Sequence, residues 1–203
     1  MAVIGFRRSG ERVVAYFTDP EAGVFRHAAE QMLTLLGADP DDPSANGIPD
    51  PLEQLAALGD PAAPPPEDPA VHRLLPDAYR DDPAASARSR RFTEDSLRAG
   101  KVERMRMLYD GLPADGGDVS LSLAEADAWL RALTDLRLVL AVRLEIDDDE
   151  TSEERLERAL RSYDESIAGT AAIYQYAGML SETLVAALMG VDPDFLSEDD
   201  DVP

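Results

Sequence analysis

The chain has 203 residues, 44% of them hydrophobic and 30% charged, with a formal net charge of -22 and no cysteine. That length and balance describe a globular chain with room for one sizeable domain or two small ones. The acidity disfavours nucleic-acid phosphate as a partner, and the lack of cysteine removes disulfides, thiol catalysis and thiolate metal sites together.

No apolar run approaches the ~20 residues of a membrane span, and the opening MAVIGFRRSGERV has no signal-peptide core. A cytoplasmic protein without membrane contact is expected. Val3, Ile4, Gly5 and Phe6, then Val13, Val14, Ala15, Tyr16 and Phe17, are β-prone runs separated by Ser9-Gly10, the pattern of a hairpin. Thr18, Pro20 and Glu21 mark a helix start. Phe25, Ala28, Ala29, Met32, Leu33, Leu35 and Leu36 form its apolar stripe, and Gly37 ends it.

Residues 38–70 hold nine of the 15 prolines and read as an irregular connection, interrupted by a short helix at 52–58. Within it, Asp42, Ser44, Asn46, Gly47 and Glu53 match the skeleton of a calcium-binding loop. Pro49 stands where such a loop needs an apolar residue with an N–H, and there is no second loop, so a proline-rich turn is the better reading. His27 and His72 are the only histidines and lack zinc-site spacing. No metal site and no cofactor are expected.

Residues 71–75 form a short helical turn stopped by Pro76. Asp82-Pro83 opens a helix to about Tyr109, with a kink or restart at Thr93 and apolar positions Phe92, Leu97, Val102, Met105 and Leu108. The loop between them, Pro76 to Asp82, includes Tyr79 and Arg80 and is either a functional loop or a connecting turn capped by Asp82. This region also carries the best basic cluster: Arg88, Arg90, Arg91, Arg98, Lys101, Arg104 and Arg106. Glu94, Asp95 and Glu103 interleave it, making a mixed face, so direct nucleic-acid binding is not expected.

After a loop at 111–118, Val119, Ser120 and Leu121 can add a third strand to the hairpin. Ser122 and Glu125 make the strongest local signal, a capping box, and the helix it opens runs to about Leu144. On a helical wheel Trp129, Leu133, Leu136, Leu140 and Leu144 share one face. Asp127, Arg131 and Asp135 stack at i, i+4 and i+8 and read as a solvent-side ladder of ion pairs. Arg137 lies at the edge of the apolar face. It either pairs with an acid from another helix or contacts a partner or ligand.

An acidic loop at 147–150 precedes a last helical region at 153–189. Ile173, Ala177, Leu180, Leu184 and Leu188 repeat there at helical spacing, as core or, alternatively, as a homodimer interface. Tyr174, Tyr176 and Met179 lie off that seam, where an apolar patch would show. Residues 196–203 read as an acidic disordered tail beyond a single domain at 1–195.

The expected fold is mainly α: four or five helices bundled, with a small N-terminal β-hairpin. No nucleotide, hydrolase or metalloprotease motif is present, and no carboxylate pair stands out as acid and base. The chain therefore reads as a non-enzymatic protein. The alternative is an enzyme or small-ligand binder with a polar pocket around Arg137, Asp135 and the Tyr79-Arg80 loop. Candidate contact residues are Arg137, Asp135, Arg131, Trp129, Tyr79 and Arg80.

The blocks LLPDAYRDDPAASARSRRFTEDSLR and EADAWLRALTDLRLVLAVRL resemble the AosR family of actinobacterial oxidative-stress regulators, long known only as a domain of unknown function. The most specific part is Trp129-Leu130-x-Ala132-Leu133-x-Asp135-Leu136-Arg137-Leu138. The resemblance implies a cytoplasmic transcription regulator acting by contact with a sigma factor or RNA polymerase. In the regulator for which the family is named, redox sensing is assigned to a cysteine pair. This chain has no cysteine, so that chemistry does not carry over, and no catalytic residue does either.

Overall fold

The computed structural model describes residues 5–41, 65–146 and 151–191. In chain order these form β1 (Arg7–Ser9), β2 (Arg12–Phe17), α1 (Asp19–Leu35), α2 (Pro69–Leu74), α3 (Pro83–Gly111), β3 (Gly117–Ser122), α4 (Leu123–Arg143), α5 (Ser152–Leu160) and α6 (Glu165–Met189). The mainly α architecture matches expectation, with two short helices, α2 and α5, beyond the long ones. The helix expected at 52–58, the calcium-type loop from Asp42 to Glu53, the acidic loop at 147–150 and the tail at 196–203 lie outside the described residues.

The three strands make one antiparallel sheet in the order β1-β2-β3. Arg7 faces Val14, and Val13 faces Leu121. Strand alternation puts Val13, Ala15, Phe17, Val119 and Leu121 inward. The hairpin is present, and among the described residues its first strand begins at Arg7, after the Phe6 that ends the apolar run. Phe6 precedes the ladder because its ring belongs to the core and its N–H donates to Thr183 Oγ1 of α6 at 3.1 Å. Gly5 makes this approach possible: its φ is 117°, and a Cβ there would sit 2.5 Å from Thr183 Oγ1.

Helix starts follow the sequence closely. The N–H groups of Thr18 and Ser122 donate to Glu21 and Glu125, both at 2.7 Å. Asp68, Asp82 and Asp164 cap α2, α3 and α6 through their side chains. Asp68 and Pro69 thus open a helix two residues before the expected end of the proline-rich connection. Gly37 (φ 79°) and Gly190 (φ 72°) close α1 and α6 in the left-handed region.

α3 runs unbroken through Thr93, whose hydroxyl donates to the Ser89 carbonyl instead of breaking the helix. Its core positions are Val102, Met105 and Leu108, whereas Phe92 and Leu97 are exposed. Only the C-terminal half of α3 is pressed into the core. There Arg26 of α1 caps it, donating to the carbonyls of Tyr109 and Leu112 and stacking 4.3 Å from the Tyr109 ring. The region expected as one ordered stretch at 153–189 is two helices, α5 and α6, parted at residues 161–164.

α4 is the central element, packed against α2, α3 and α6. Trp129 is 1% exposed and meets Phe6 and Phe17 with ring centroids 5.9 and 6.4 Å away. Ala177, Leu180 and Leu184 of α6 are buried, with Ile173 and Leu188 packed partly against the same core. The α6 seam is therefore core. Tyr176 lies against Phe25, and Met179 also packs on the core, so the exposed apolar positions of α6 lie elsewhere.

Candidate functional site

Because α4 has neighbours on three sides, its polar residues divide into three settings. Asp127 and Arg131 form the expected exposed pair, at 2.8 Å. Asp135 does not continue that ladder. It is 7% exposed and accepts a hydrogen bond from Lys101 Nζ of α3 at 2.6 Å. Each step of four residues turns about 40° around a helix, so the row from Asp127 to Asp135 drifts some 80° and leaves the solvent face. Lys101, the only lysine of the chain, is the matching half of this buried pair.

Arg137 departs from its expected ion pair. Among the described residues it has no carboxylate partner. Its guanidinium lies 5.3 Å from the Tyr174 ring centre and packs over Gly178, and its Nε is buried without a hydrogen bond. It forms part of a groove of about 690 Å³ between α4 and α6. Leu130, Thr134 and Arg137 line one wall, with Glu182, Val185 and Met189 opposite. Met189 is 74% exposed, and Val185 and Val191 are also exposed. Mostly apolar, the groove carries one cation and one anion.

The loop from Pro76 to Asp82 belongs to another place. Ser86 pins it, accepting from the Tyr79 N–H at 3.0 Å and donating to the Tyr79 carbonyl at 2.7 Å. Asp77 pairs with Arg90, which also lies 3.5 Å from Glu94, and Glu94 pairs with Arg98 at 2.8 Å. Tyr79 and Arg80 point outward. The space beside this loop is only about 20 Å³. The polar pocket expected around Arg137, Asp135 and this loop is therefore not one site. Asp135 is taken up by Lys101, the loop is stapled to α3, and the Arg137 groove is built from α4 and α6. Trp129 is core.

Several basic side chains of 88–106 are committed internally. Beyond Arg90, Arg98 and Lys101, Arg106 donates to the carbonyls of Asp39 and Pro40 at 2.8 and 3.2 Å. They tie α3 to the end of α1, to the 76–82 loop and to α4, rather than forming a basic stripe.

A second cavity, about 460 Å³, opens between α1, α4 and α6. Met32, Leu136 and Val139 form its apolar part, and His27, Gln31, Arg143, Ser166 and Thr170 are its polar groups. Arg143 is engaged by Asp68 at 2.6 Å. Among the described residues no group of three His, Cys, Asp or Glu could hold a metal ion, and no helix is long and apolar enough to cross a membrane.

Three carboxylates are held below their ordinary range. Burial pushes Glu21 up, but the Thr18 N–H and the Tyr176 and Thr18 hydroxyls outweigh it. Asp68 is lowered chiefly by its hydrogen bond from Arg143, and Glu125 by the Ser122 N–H. Tyr176 is pushed up, first by burial and then by donating to Glu21 at 2.7 Å. A depressed carboxylate stabilises the fold fully above its unfolded value, 4.5 for Glu and 3.8 for Asp, and less as pH falls through its folded value. Thermal unfolding followed by circular dichroism should therefore show a steep loss of Tm from about pH 5 to about pH 3. A Glu21→Gln/Glu125→Gln variant, already weaker at neutral pH, should lose visibly less over that range. Equal acid losses in the two proteins would contradict these assignments.

No solved structure matches the chain. The model of a domain of unknown function, DUF2017, matches residues 3–188. The oxidative stress regulator AosR of Mycobacterium tuberculosis (strain H37Rv) is 33% identical over 196 residues, which is 90% of this chain and 85% of that protein. AosR of Mycobacterium bovis (strain AF2122/97) matches with the same identity and coverage. The capping box, the buried tryptophan and all of the α4–α6 groove lining except Met189 and Val191 lie within residues 3–188, and the chain belongs to the DUF2017 family, the family of the mycobacterial regulator AosR.

Proposed function

We propose that this protein is a cytoplasmic, non-enzymatic regulator of the oxidative-stress response that works by contact with the transcription machinery, a sigma factor or RNA polymerase. The observation that carries the reading is the similarity to AosR across 90% of the chain. Two physical features support it. The net charge of -22 suits basic protein surfaces and disfavours nucleic-acid backbone. Of the basic cluster at 88–106, Arg90, Arg98, Lys101 and Arg106 are spent on internal contacts. With no cysteine, the oxidant signal reaches this protein through something other than its own thiols.

The test is direct binding of the immobilised full chain to purified RNA polymerase core and to each purified sigma factor of the source organism. Saturable retention that weakens as salt rises is the expected result. Lack of retention of every one of these proteins at low salt would sink the reading.

A further inference from the structure

We infer that the α4–α6 groove is a self-association face, on which a second copy of this chain docks about a two-fold axis. The inference does not depend on the regulatory reading. It rests on a pair of stripes. On α4, Leu123, Leu130, Thr134 and Arg137 recur at helical spacing and fall within about 40° of one direction. On α6, Gly178, Glu182, Val185 and Met189 do the same. Leu123, Val185, Met189 and Val191 are exposed, so an apolar surface runs along the two helices, uncovered by the other described residues.

The charges on this face identify the occupant. Arg137 and Glu182 both line the groove, and among the described residues neither has an ion-pair partner. Within the chain Arg137 packs on Tyr174 and Gly178, with its Nε buried and unbonded. A docked surface must supply a carboxylate for Arg137, a cation for Glu182 and apolar side chains between them. Another copy of the same face offers all three. In a two-fold arrangement each contact occurs twice, so Arg137 of each chain meets Glu182 of the other. The face is also locally neutral in a chain of net charge -22. Two copies therefore meet where their mutual repulsion is least.

Reciprocal charge reversal tests this with the full chain, read by light scattering on a sizing column and by sedimentation equilibrium. The wild type should run at twice the 22.0 kDa of one chain. Arg137→Glu places two carboxylates at each contact, and Glu182→Arg places two cations, so each variant alone should be monomeric. Mixed one to one, the two variants should form a heterodimer in which both contacts are restored. The double variant Arg137→Glu/Glu182→Arg should dimerise by itself. Met189→Asp, at an exposed position, should give a folded monomer and shows that dissociation is not unfolding. A monomeric wild type overturns the proposal. So does a dimer that survives both single reversals and Met189→Asp, because its interface lies elsewhere. Failure of both the mixture and the double variant to dimerise overturns the Arg137–Glu182 pairing. If the wild type is monomeric and Met189→Asp abolishes binding to a sigma factor or polymerase, the groove belongs to that partner instead.

Discussion

Lys101→Met should be among the most damaging substitutions in this protein, costing about 3–5 kcal/mol because it strands the Asp135 carboxylate in the interior. Asp135 is 7% exposed, and Lys101 is its ion-pair partner at 2.6 Å. For a chain of this size about 1 kcal/mol shifts Tm by roughly 2–4 °C, so the expected fall is on the order of 10 °C. The reverse change, Asp135→Leu, should cost less. It leaves an ammonium on a flexible four-carbon stem that can swing toward water. Lys101→Met/Asp135→Leu should then regain much of the loss, since two apolar side chains carry no desolvation penalty. Denaturant unfolding of the two single variants and the double variant completes the cycle. Additive losses would mean that the pair contributes nothing as a pair.

Trp129→Ala should be comparably severe, at about 3–5 kcal/mol. The indole joins three parts of the fold. It touches the rings of Phe6 and Phe17, and it fills the space at Gly111, where a Cβ would come within 2.7 Å of its Cζ2. Removing it leaves a cavity between the sheet, α3 and α4 that rigid neighbours cannot close. Trp129→Phe should cost clearly less. A loss below about 1 kcal/mol for Trp129→Ala would show that the core collapses around the gap.

These two residues mark what could be read from the sequence and what could not. Trp129 sits on a wheel face with Leu133 and Leu136, and periodicity alone identifies it as core. The helix starts were equally legible, because a capping box is a local chemical contact between residues three apart. Asp135 was not legible. Its surroundings are set by Lys101, 34 residues earlier on α3, and only packing shows that α3 covers the side of α4 that carries it. The apolar Phe92 and Leu97 misled for the converse reason, since the half of α3 that carries them lies outside the core. The groove illustrates the same limit. Arg137 stood out by itself as a cation on an apolar edge. Its neighbours Glu182, Val185 and Met189 lie more than forty residues further along the chain, on α6. No spacing rule connects them.

The hydrogen bond from the Phe6 N–H to Thr183 Oγ1 spans 177 residues. It sets an order on synthesis. The first strands leave the ribosome early, but β2 meets β3 only after about a hundred further residues have been added, roughly 5–20 s at bacterial elongation rates. The seat for Phe6 on α6 comes later still. For all of that time the β2 edge of the nascent hairpin awaits its partner, and Phe6 has no seat. A chaperone that shields emerging apolar segments, or a slowed stretch of translation, would act on this protein most strongly in that interval.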